Sequence, residues 1–316
     1  MTQTLTLISF VVLNYNGKEI TERCIDSLTH CISGYNYEII VVDNGSSDGS
    51  VEYLKNKFPS IKIIEEGYNK FIVAYNDGVK EAKAEWVFLL NNDMLFEKGF
   101  LDYILPHLTD EDIFAIGSKM VNLERQVEKN ANYPDFKCGY LWIKTKDVSS
   151  FSPTIYIGCH GIFNKKKFLE LGGFDPMYSP FYSEDLDLCY RAWKRGWKVY
   201  VEPKSVIIHY HMATIGKLFN RKYVLRVAAR NHFLFIWKNF TSKRLFIQHI
   251  LCLPLILLGA FFLKKWYYIP AFFDAMRYIS EIRASRKSLV VSERMSDSEV
   301  IKFIKKGIES VLYEER

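Results

Sequence analysis

Cysteine is sparse in this chain: six in 316 residues, none in a Cys-x-x-Cys pair and none at zinc spacing from a histidine. That argues against a disulfide scaffold and against a Cys-His zinc module. Cys24, Cys31, Cys138, Cys159, Cys189 and Cys252 read instead as reduced, mostly buried thiols of a cytosolic protein. A secretory leader is not expected either. The first apolar run, Leu5 to Leu13, has no basic start and ends in Asn14-Tyr15-Asn16-Gly17 rather than at a small-residue cleavage site, so it reads as a core strand. Acidic residues are nearly missing from Lys217 to Arg294, where Asp274, Glu281 and Glu293 stand against 15 Lys and Arg. The net charge of +6 is therefore concentrated in one half, which calls for an anionic partner there. Because that half is also strongly apolar, a membrane surface fits better than a nucleic acid, which would need the basic surface without the apolar run. The 25% charged and 16% aromatic content rules out a disordered composition.

What is present begins as an alternation. Leu5–Leu13 predicts a strand, and a helix follows from about Glu19 to Cys31, with Ile20, Cys24, Leu28 and Cys31 at helical spacing. Glu38–Val42 predicts a second strand. It is followed by Asp43-Asn44-Gly45-Ser46-Ser47-Asp48-Gly49-Ser50, dense in turn formers, and a helix over Val51–Lys57. Ile61–Ile64 is a short strand, and Asn69–Asp77 opens a helix to about Lys83. Trp86-Val87-Phe88-Leu89-Leu90 then runs straight into Asn91-Asn92-Asp93, the pattern of a buried parallel strand ending at a polar lip. Strand-helix alternation of this kind specifies a mostly parallel sheet with helices on both faces, an α/β fold. Further on, Lys98–Leu108 predicts a helix and Ile113–Met120 a strand. Val121–Ser150 reads as a loop-rich insertion facing a second substrate, and Thr154–Phe163, with Gly158 and Gly161, as a strand passing close to a ligand or another backbone. Trp197–Val201 and Val206–Ile208 read as short strands.

Ligands in open α/β sheets sit beyond the carboxyl ends of the strands. Asn14, Asp43 and Asp93 all end strands and fall along one sheet edge. A carboxylate such as Asp93 suits a hard divalent cation, which in turn holds a diphosphate. Ser183 is a natural N-cap for a helix whose first turn carries Glu184 and Asp185, with Leu186, Cys189, Tyr190 and Trp193 on one buried face. The helix dipole favours ionised acids there. An acid pair beside Leu171-Gly172-Gly173-Phe174-Asp175 and an aromatic cluster suits a general base in a cleft. His209 and His211 end the last strand, and an imidazole there is a suitable further ligand to a cation on Asp93.

Five blocks in this order resemble the family 2 glycosyltransferases of GT-A fold, the bacterial rhamnosyl- and galactofuranosyl-transferase-like branch in particular. They are Val11–Asn16, Val41–Ser50, Asn69–Asn76, Leu89–Asp93, and Gly172–Asp175 followed by Glu184-Asp185-Leu186-Asp187 and His209. The resemblance covers roughly residues 5 to 240 and implies roles. Asn14, Tyr15 and Asn16 lie by the nucleotide. Asp43 accepts from the N3–H of uracil or thymine. Asn69 and Asn76 line the nucleotide pocket. Asn91-Asn92-Asp93 stands at the Asp-x-Asp position, with Asp93 as ligand to Mg²⁺ or Mn²⁺ and His209, or second His211, beside it. Asp185 is the catalytic base, supported by Glu184 and Asp187. The sequence departs from the family pattern at Asn91, where the first Asp would stand, and at Lys70, where Gly is usual. The implied reaction inverts the anomeric carbon in one displacement. It moves a sugar from a dTDP- or UDP-sugar, dTDP-rhamnose by family branch, to a hydroxyl of a polyprenyl-linked saccharide in bacterial surface polysaccharide synthesis. Two alternatives compete. A nucleotidyltransferase would want a Gly-rich basic loop where Asn14-Tyr15-Asn16-Gly17-Lys18 stands. A catalytically silent nucleotide-sugar-binding or membrane scaffold should lack the acids at Asp93 and at Glu184-Asp185.

The division expected is a catalytic domain over 1–215, with the donor side over about 1–120, and a helical region over 216–316. Leu218–Phe240 reads as an amphipathic helix. Leu245–Leu263 carries no charge over 19 positions, the lower end of membrane-spanning length, although Gln248, His249 and Pro254 interrupt it. Lys243-Arg244 and Lys264-Lys265 flank both ends, so charge selects no orientation. Trp266, Tyr267 and Tyr268 follow, as at a membrane interface, and Ile269–Ile279 is too short to span. Helices lying in or dipping into the inner leaflet, a single span, and a soluble helical subdomain or dimer interface all fit. The first, at the cytoplasmic face of the cell membrane, is the expectation. Ser296–Glu314 reads as a terminal amphipathic helix.

Overall fold

The computed structural model describes residues 6–210 and 218–314. The expected alternation is present: β1 (Leu7–Asn14), α1 (Lys18–Cys31), β2 (Asn36–Asp43), α2 (Ser50–Lys57), β3 (Lys62–Glu65), α3 (Tyr75–Glu81) and β4 (Trp86–Asn91). β1 pairs in parallel with β2 and β4, and β2 with β3. These strands are apolar on both faces because both faces are covered. Phe10, Val12, Val41, Phe88 and Leu90 point to one core, which α1 closes with Cys24, Ile25 and Leu28. The alternate residues Val11, Ile40, Val42 and Leu89 point to the other, shared with Tyr75 and Val79 of α3.

The second half completes a mixed sheet. β5 (Met94–Phe96), β6 (Ile113–Val121), β7 (Val127–Lys129), β8 (Ala131–Lys137), β9 (Tyr140–Lys146), β10 (Ser152–Pro153) and β11 (His160–Asn164) lead to α4 (Lys165–Glu170), α5 (Glu184–Lys194) and β12 (Lys198–His209). The main sheet runs β10-β12-β6-β11-β4-β1-β2-β3, with β5 on β12 and β7 on β6. β11 lies antiparallel between β4 and β6, while β12 runs parallel to β6.

Several local expectations change. No α-helix forms over 98–108; turns lead into a 3₁₀ segment at Leu105–Thr109, because Gly99 sits at φ +84 and Pro106 lacks a donor. The stretch 121–150 is not loop-rich: β8 and β9 form a hairpin, paired from Ala131↔Lys146 to Lys137↔Tyr140. Its two-residue turn has Cys138 at φ 49 and Gly139 at φ 70, the primed geometry that matches strand twist. The strand expected over 154–163 is shortened to His160–Asn164, and the short pair Ser152–Pro153 lies just before the expected range. The two short strands after Trp197 are one, β12, irregular between Glu202 and Val206 around Pro203.

Past the undescribed stretch come α6 (Arg221–Asn239), α7 (Lys243–Phe262), α8 (Tyr268–Met276), α9 (Ile279–Ser292) and α10 (Asp297–Glu314). Asn220 caps α6, accepting from the Tyr223 N–H at 2.9 Å. The second half of α6, including Phe233, Leu234, Phe235 and Ile236, is buried, so this helix is core rather than surface. Val300, Ile304 and Ile308 bring α10 into the same core.

Candidate functional site

The strand register sets the lip of the sheet. Asn14 stands opposite Asp43, and Leu13 opposite Asn91, so β1, β2 and β4 end at one level. The loops beyond them are laced together. The buried Asn14 amide donates to Asp43 Oδ2 at 2.7 Å and to Ser46 Oγ at 3.2 Å, while its oxygen accepts from Thr21 Oγ1 at 2.7 Å and Asn92 Nδ2 at 3.3 Å. Asp43 Oδ1 also accepts the Ser46 N–H at 2.9 Å. Asn16, at φ 48, accepts the Ser47 N–H at 2.8 Å. Asn69 accepts from Asn44 and from the Phe71 N–H, both at 2.8 Å. Asn76 makes two bonds of 2.9 Å to the Phe174 backbone. Asn14, Asn16, Asn69, Asn76 and Asn92 thus each engage at least one side-chain amide atom within the protein and so brace the lip that the resemblance assigns to the nucleotide. Tyr15 is half-buried on the first loop, and Asn91 is exposed, accepting from the Tyr75 hydroxyl at 3.0 Å.

Asp93 lies in the turn between β4 and β5. β5 pairs antiparallel with β12, placing Met94 opposite His209, and the Tyr210 N–H donates to the Asp93 carbonyl at 2.8 Å. His209 Nε2 then comes 3.3 Å from Asp93 Oδ2, and its Nδ1 lies 2.9 Å from Glu128 Oε2 on β7. Burial works against a charged His209, but the two carboxylates outweigh it and raise its pKa. Among the described residues no three His, Cys, Asp or Glu side chains form a ready metal cage. The donor set of Asp93 and His209 still fits Mg²⁺ or Mn²⁺. Such ions take one or two protein ligands and fill the remaining positions with water and substrate phosphate oxygens. His211 lies outside the described residues.

The acid pair opens α5. Ser183 does not cap it: its φ is 70 and its side chain makes no cap bond. Glu184 is buried and its Oε2 has no hydrogen-bond partner among the described residues; burial, and then the adjacent Asp185, push its carboxyl well above the ordinary range. Asp185 is half-buried and accepts the Leu186 N–H at 2.7 Å. Burial raises its pKa too, contrary to the helix-dipole expectation, while Lys129 pulls it back. Gly158 packs close to this pair. A Cβ on it would stand 3.2 Å from His160 Nδ1 and 3.5 Å from Asp185 Oδ2. His160, opposite Leu90 at the end of β4, is held neutral by burial, with its pKa lowered to about 3. Lys129 lies 5.8 Å from the Tyr156 ring centroid, and its pKa is raised by Tyr156 and, against burial, by Asp185.

Asp187 plays a different part from its neighbours. It is fully buried and takes bonds from Tyr178, Lys238, Asn239 and Arg191, tying α5 to α6. These bonds make it a structural node at the junction of the two helices. Sequence reasoning missed Glu128, Lys129 and His160. The first two lie in the stretch read as a loop, and only the topology brings them to Asp93 and Asp185.

A profile of the family described as glycosyl transferase family 2 matches residues 9–172, just over half the chain. The pre-mycofactocin glycosyltransferase of Mycobacterium tuberculosis is 26% identical over 193 residues, covering 58% of this chain and 40% of that one. This chain therefore spans well under half of that relative's length. The N-acetylglucosaminyl-diphospho-decaprenol L-rhamnosyltransferase of the same organism is 22% identical over 245 residues, covering 67% and 78%. Among solved structures, GalNAc-T7 with UDP, GalNAc and Mn²⁺ superposes with a TM-score of 0.62 at 15% identity, over 76% of this chain and 49% of that one. The mannosyltransferase PcManGT of Pyrobaculum calidifontis, in complex with GDP-Man and Mn²⁺, does so with 0.54 at 14% identity, over 99% and 89%. The structural neighbours and the profile agree: this chain has a GT-A-like fold and belongs to glycosyl transferase family 2.

Proposed function

We propose that this protein is an inverting, metal-dependent glycosyltransferase. It moves a sugar from a dTDP- or UDP-sugar, with dTDP-rhamnose the first candidate, to a hydroxyl of a polyprenyl-linked saccharide in bacterial surface polysaccharide synthesis. The observation that carries the reading is the pairing of Asp93 with His209 at the lip of the sheet, supported by the closeness of Asp185 to Gly158, two residues before the His160 that pairs with β4. The lipid-linked acceptor is supported by the name of the decaprenol-dependent relative. The metal is supported by the Mn²⁺ of both solved neighbours.

In this reading residues 1–215 form the catalytic domain and 216–316 a helical region at the cytoplasmic face of the membrane. Tyr15 and Asp43 meet the base, and the carboxylate, an acceptor only, suits an imide N–H. Asp93 and His209 hold the cation, which when bound neutralises the diphosphate leaving group. Asp185 takes the proton of the attacking hydroxyl. Lys129 favours the ionised form of Asp185 against its burial, while burial and Asp185 favour the protonated form of Glu184. His160, neutral, fills the floor without adding charge.

The test is a thermal-shift series with UDP, dTDP and GDP, with and without Mn²⁺, repeated on Asp93→Ala and Asp43→Ala. A metal-dependent shift with UDP or dTDP that both variants lose is expected. No shift with any nucleotide in folded protein overturns the reading and favours the silent scaffold.

A further inference from the structure

α7 is apolar on every side, which in a water-soluble fold marks a buried helix. Yet among its residues only His249 and Ala260 are buried. One face is docked. Leu245, Phe246, Leu253 and Leu257 pack on the core. At mid-helix, His249 accepts from Trp237 Nε1 of α6 at 2.9 Å, and its Nδ1 lies 2.6 Å from the Gly139 carbonyl at the β8–β9 turn. Gly139 must be glycine for this contact, since a Cβ there would stand 2.6 Å from Cys252 Cβ and 2.9 Å from the Gln248 carbonyl.

The opposite face is bare. Leu251 is 72% exposed and Phe262 73%, and Leu255 and Leu258 lie between them at helical spacing. The patch continues through Trp266 to Phe273 of α8. Apolar patches of this extent on soluble proteins mark an interaction surface. Its margin is basic, with Lys243 and Arg244 at one end of α7 and Lys264 and Lys265 at the other, all exposed. No acid occurs from Lys243 to Phe273, and Asp274 is paired with Arg226 at 2.6 Å. An apolar face with exposed cations at both ends complements an anionic lipid surface.

We propose that α7 and α8 form an in-plane docking face for an anionic bilayer, in which α7 lies along the surface and does not cross it. The inference rests on the membrane location given under the proposed function and adds its geometry. At 20 residues α7 is about 30 Å long, enough to span by length. Spanning, however, would bury both faces in lipid and strip the middle of the helix, His249 included, from Trp237 and Gly139. Lying flat keeps these bonds and covers Leu251, Leu255, Leu258, Phe262, Trp266 and Phe273 together.

The experiment uses the full chain with sealed vesicles of phosphatidylcholine, alone or mixed with phosphatidylglycerol. Sedimentation is expected with the mixed vesicles and far less with phosphatidylcholine alone. The exposed-face variant Leu251→Glu with Leu255→Glu and Phe262→Glu should lower partitioning roughly a hundredfold or more. Lys264→Ser with Lys265→Ser should lower it by roughly thirtyfold. Single cysteines at Lys243→Cys and Lys264→Cys, probed with a membrane-impermeant thiol reagent and mapped by mass spectrometry, should both label on the bound protein. Protection of one end means a span and overturns the proposal. So does a dimer in light scattering that the triple-Glu variant dissolves, because a second copy then covers the face. Loss of vesicle binding alongside an intact UDP or dTDP thermal shift overturns the docking face and leaves the transferase reading standing.

Discussion

His209 Nε2 lies 3.3 Å from Asp93 Oδ2, while its other nitrogen lies 2.9 Å from Glu128 Oε2. A ring fixed by a carboxylate behind it and aimed at another in front is the arrangement by which proteins set a metal-binding imidazole. Glu128→Gln should therefore weaken Mn²⁺ roughly 10- to 100-fold in calorimetric titrations with UDP or dTDP present, leaving the fold intact. Asp93→Ala should abolish metal-dependent nucleotide binding. An unchanged Mn²⁺ affinity in Glu128→Gln would remove Glu128 from the site.

Asp185 and Glu184 should separate by role. Asp185→Asn removes the proposed base and should lower kcat roughly 10²- to 10⁴-fold, with the nucleotide thermal shift preserved. Glu184 has its carboxyl pushed well above the ordinary range by burial and by Asp185, which favours its uncharged form, so the isosteric Glu184→Gln should keep activity within a few fold. Lys129 lowers the pKa of Asp185 while burial raises it. In Lys129→Gln burial acts with less opposition, and the acid limb of the kcat/KM profile should move to higher pH. A shift to lower pH would contradict this electrostatic role.

These residues illustrate how far the sequence could be read. The strand-helix alternation up to Asp93 was legible, because apolar runs covered on both faces leave few alternatives. The start of α5 was legible from the amphipathic spacing of Leu186, Cys189, Tyr190 and Trp193, although Ser183 does not cap it. Glu128 and Lys129 were not legible. They sit on a short strand whose three residues carry no periodicity, and their neighbours are set by pairing to β6. The hairpin was missed because its turn is Cys138-Gly139 rather than Asn-Gly, with a Pro in the strand before it. Asp187 carries the same charge as Asp185 two residues earlier, and only the position of α6 makes one a structural node and leaves the other at the lip.

Asn76 offers a test of the bracing reading. Its two 2.9 Å bonds to the Phe174 backbone join α3 to the Gly172-Gly173-Phe174-Asp175 loop. Asn76→Ala leaves a backbone N–H and carbonyl without partners, at a cost of about 1–3 kcal/mol for a buried group. Chemical denaturation should register that loss, with UDP or dTDP affinity in the remaining folded protein changing much less. A large loss of nucleotide affinity at unchanged stability would return Asn76 to the pocket.

Asp187 makes the sharpest prediction about pH and stability. It is fully buried, which alone would raise its pKa, yet Arg191 and Lys238, with bonds from Lys238 and Asn239, hold it far below the ordinary carboxylate range. Its carboxylate accepts from Lys238, Asn239 and Tyr178, each at 2.8 Å, and from Arg191 at 2.7 Å. A carboxyl with a depressed folded pKa contributes stability that is fully present above its unfolded pKa, about 3.9, and is lost as the pH falls toward the folded value. Urea midpoints should therefore hold steady through neutral pH and fall steeply below about pH 4. Asp187→Asn should cost roughly 3–5 kcal/mol at neutral pH, because Lys238 loses its buried counter-charge. The same variant should also flatten the acid slope relative to the parent, since one proton fewer is taken up on unfolding. Asp135, likewise depressed by Lys144, Lys137 and Lys305 against burial, adds a background slope common to both proteins, so the difference between the two curves isolates Asp187. Parallel curves in acid would mean that Asp187 is not the group whose protonation loosens the junction of α5 and α6.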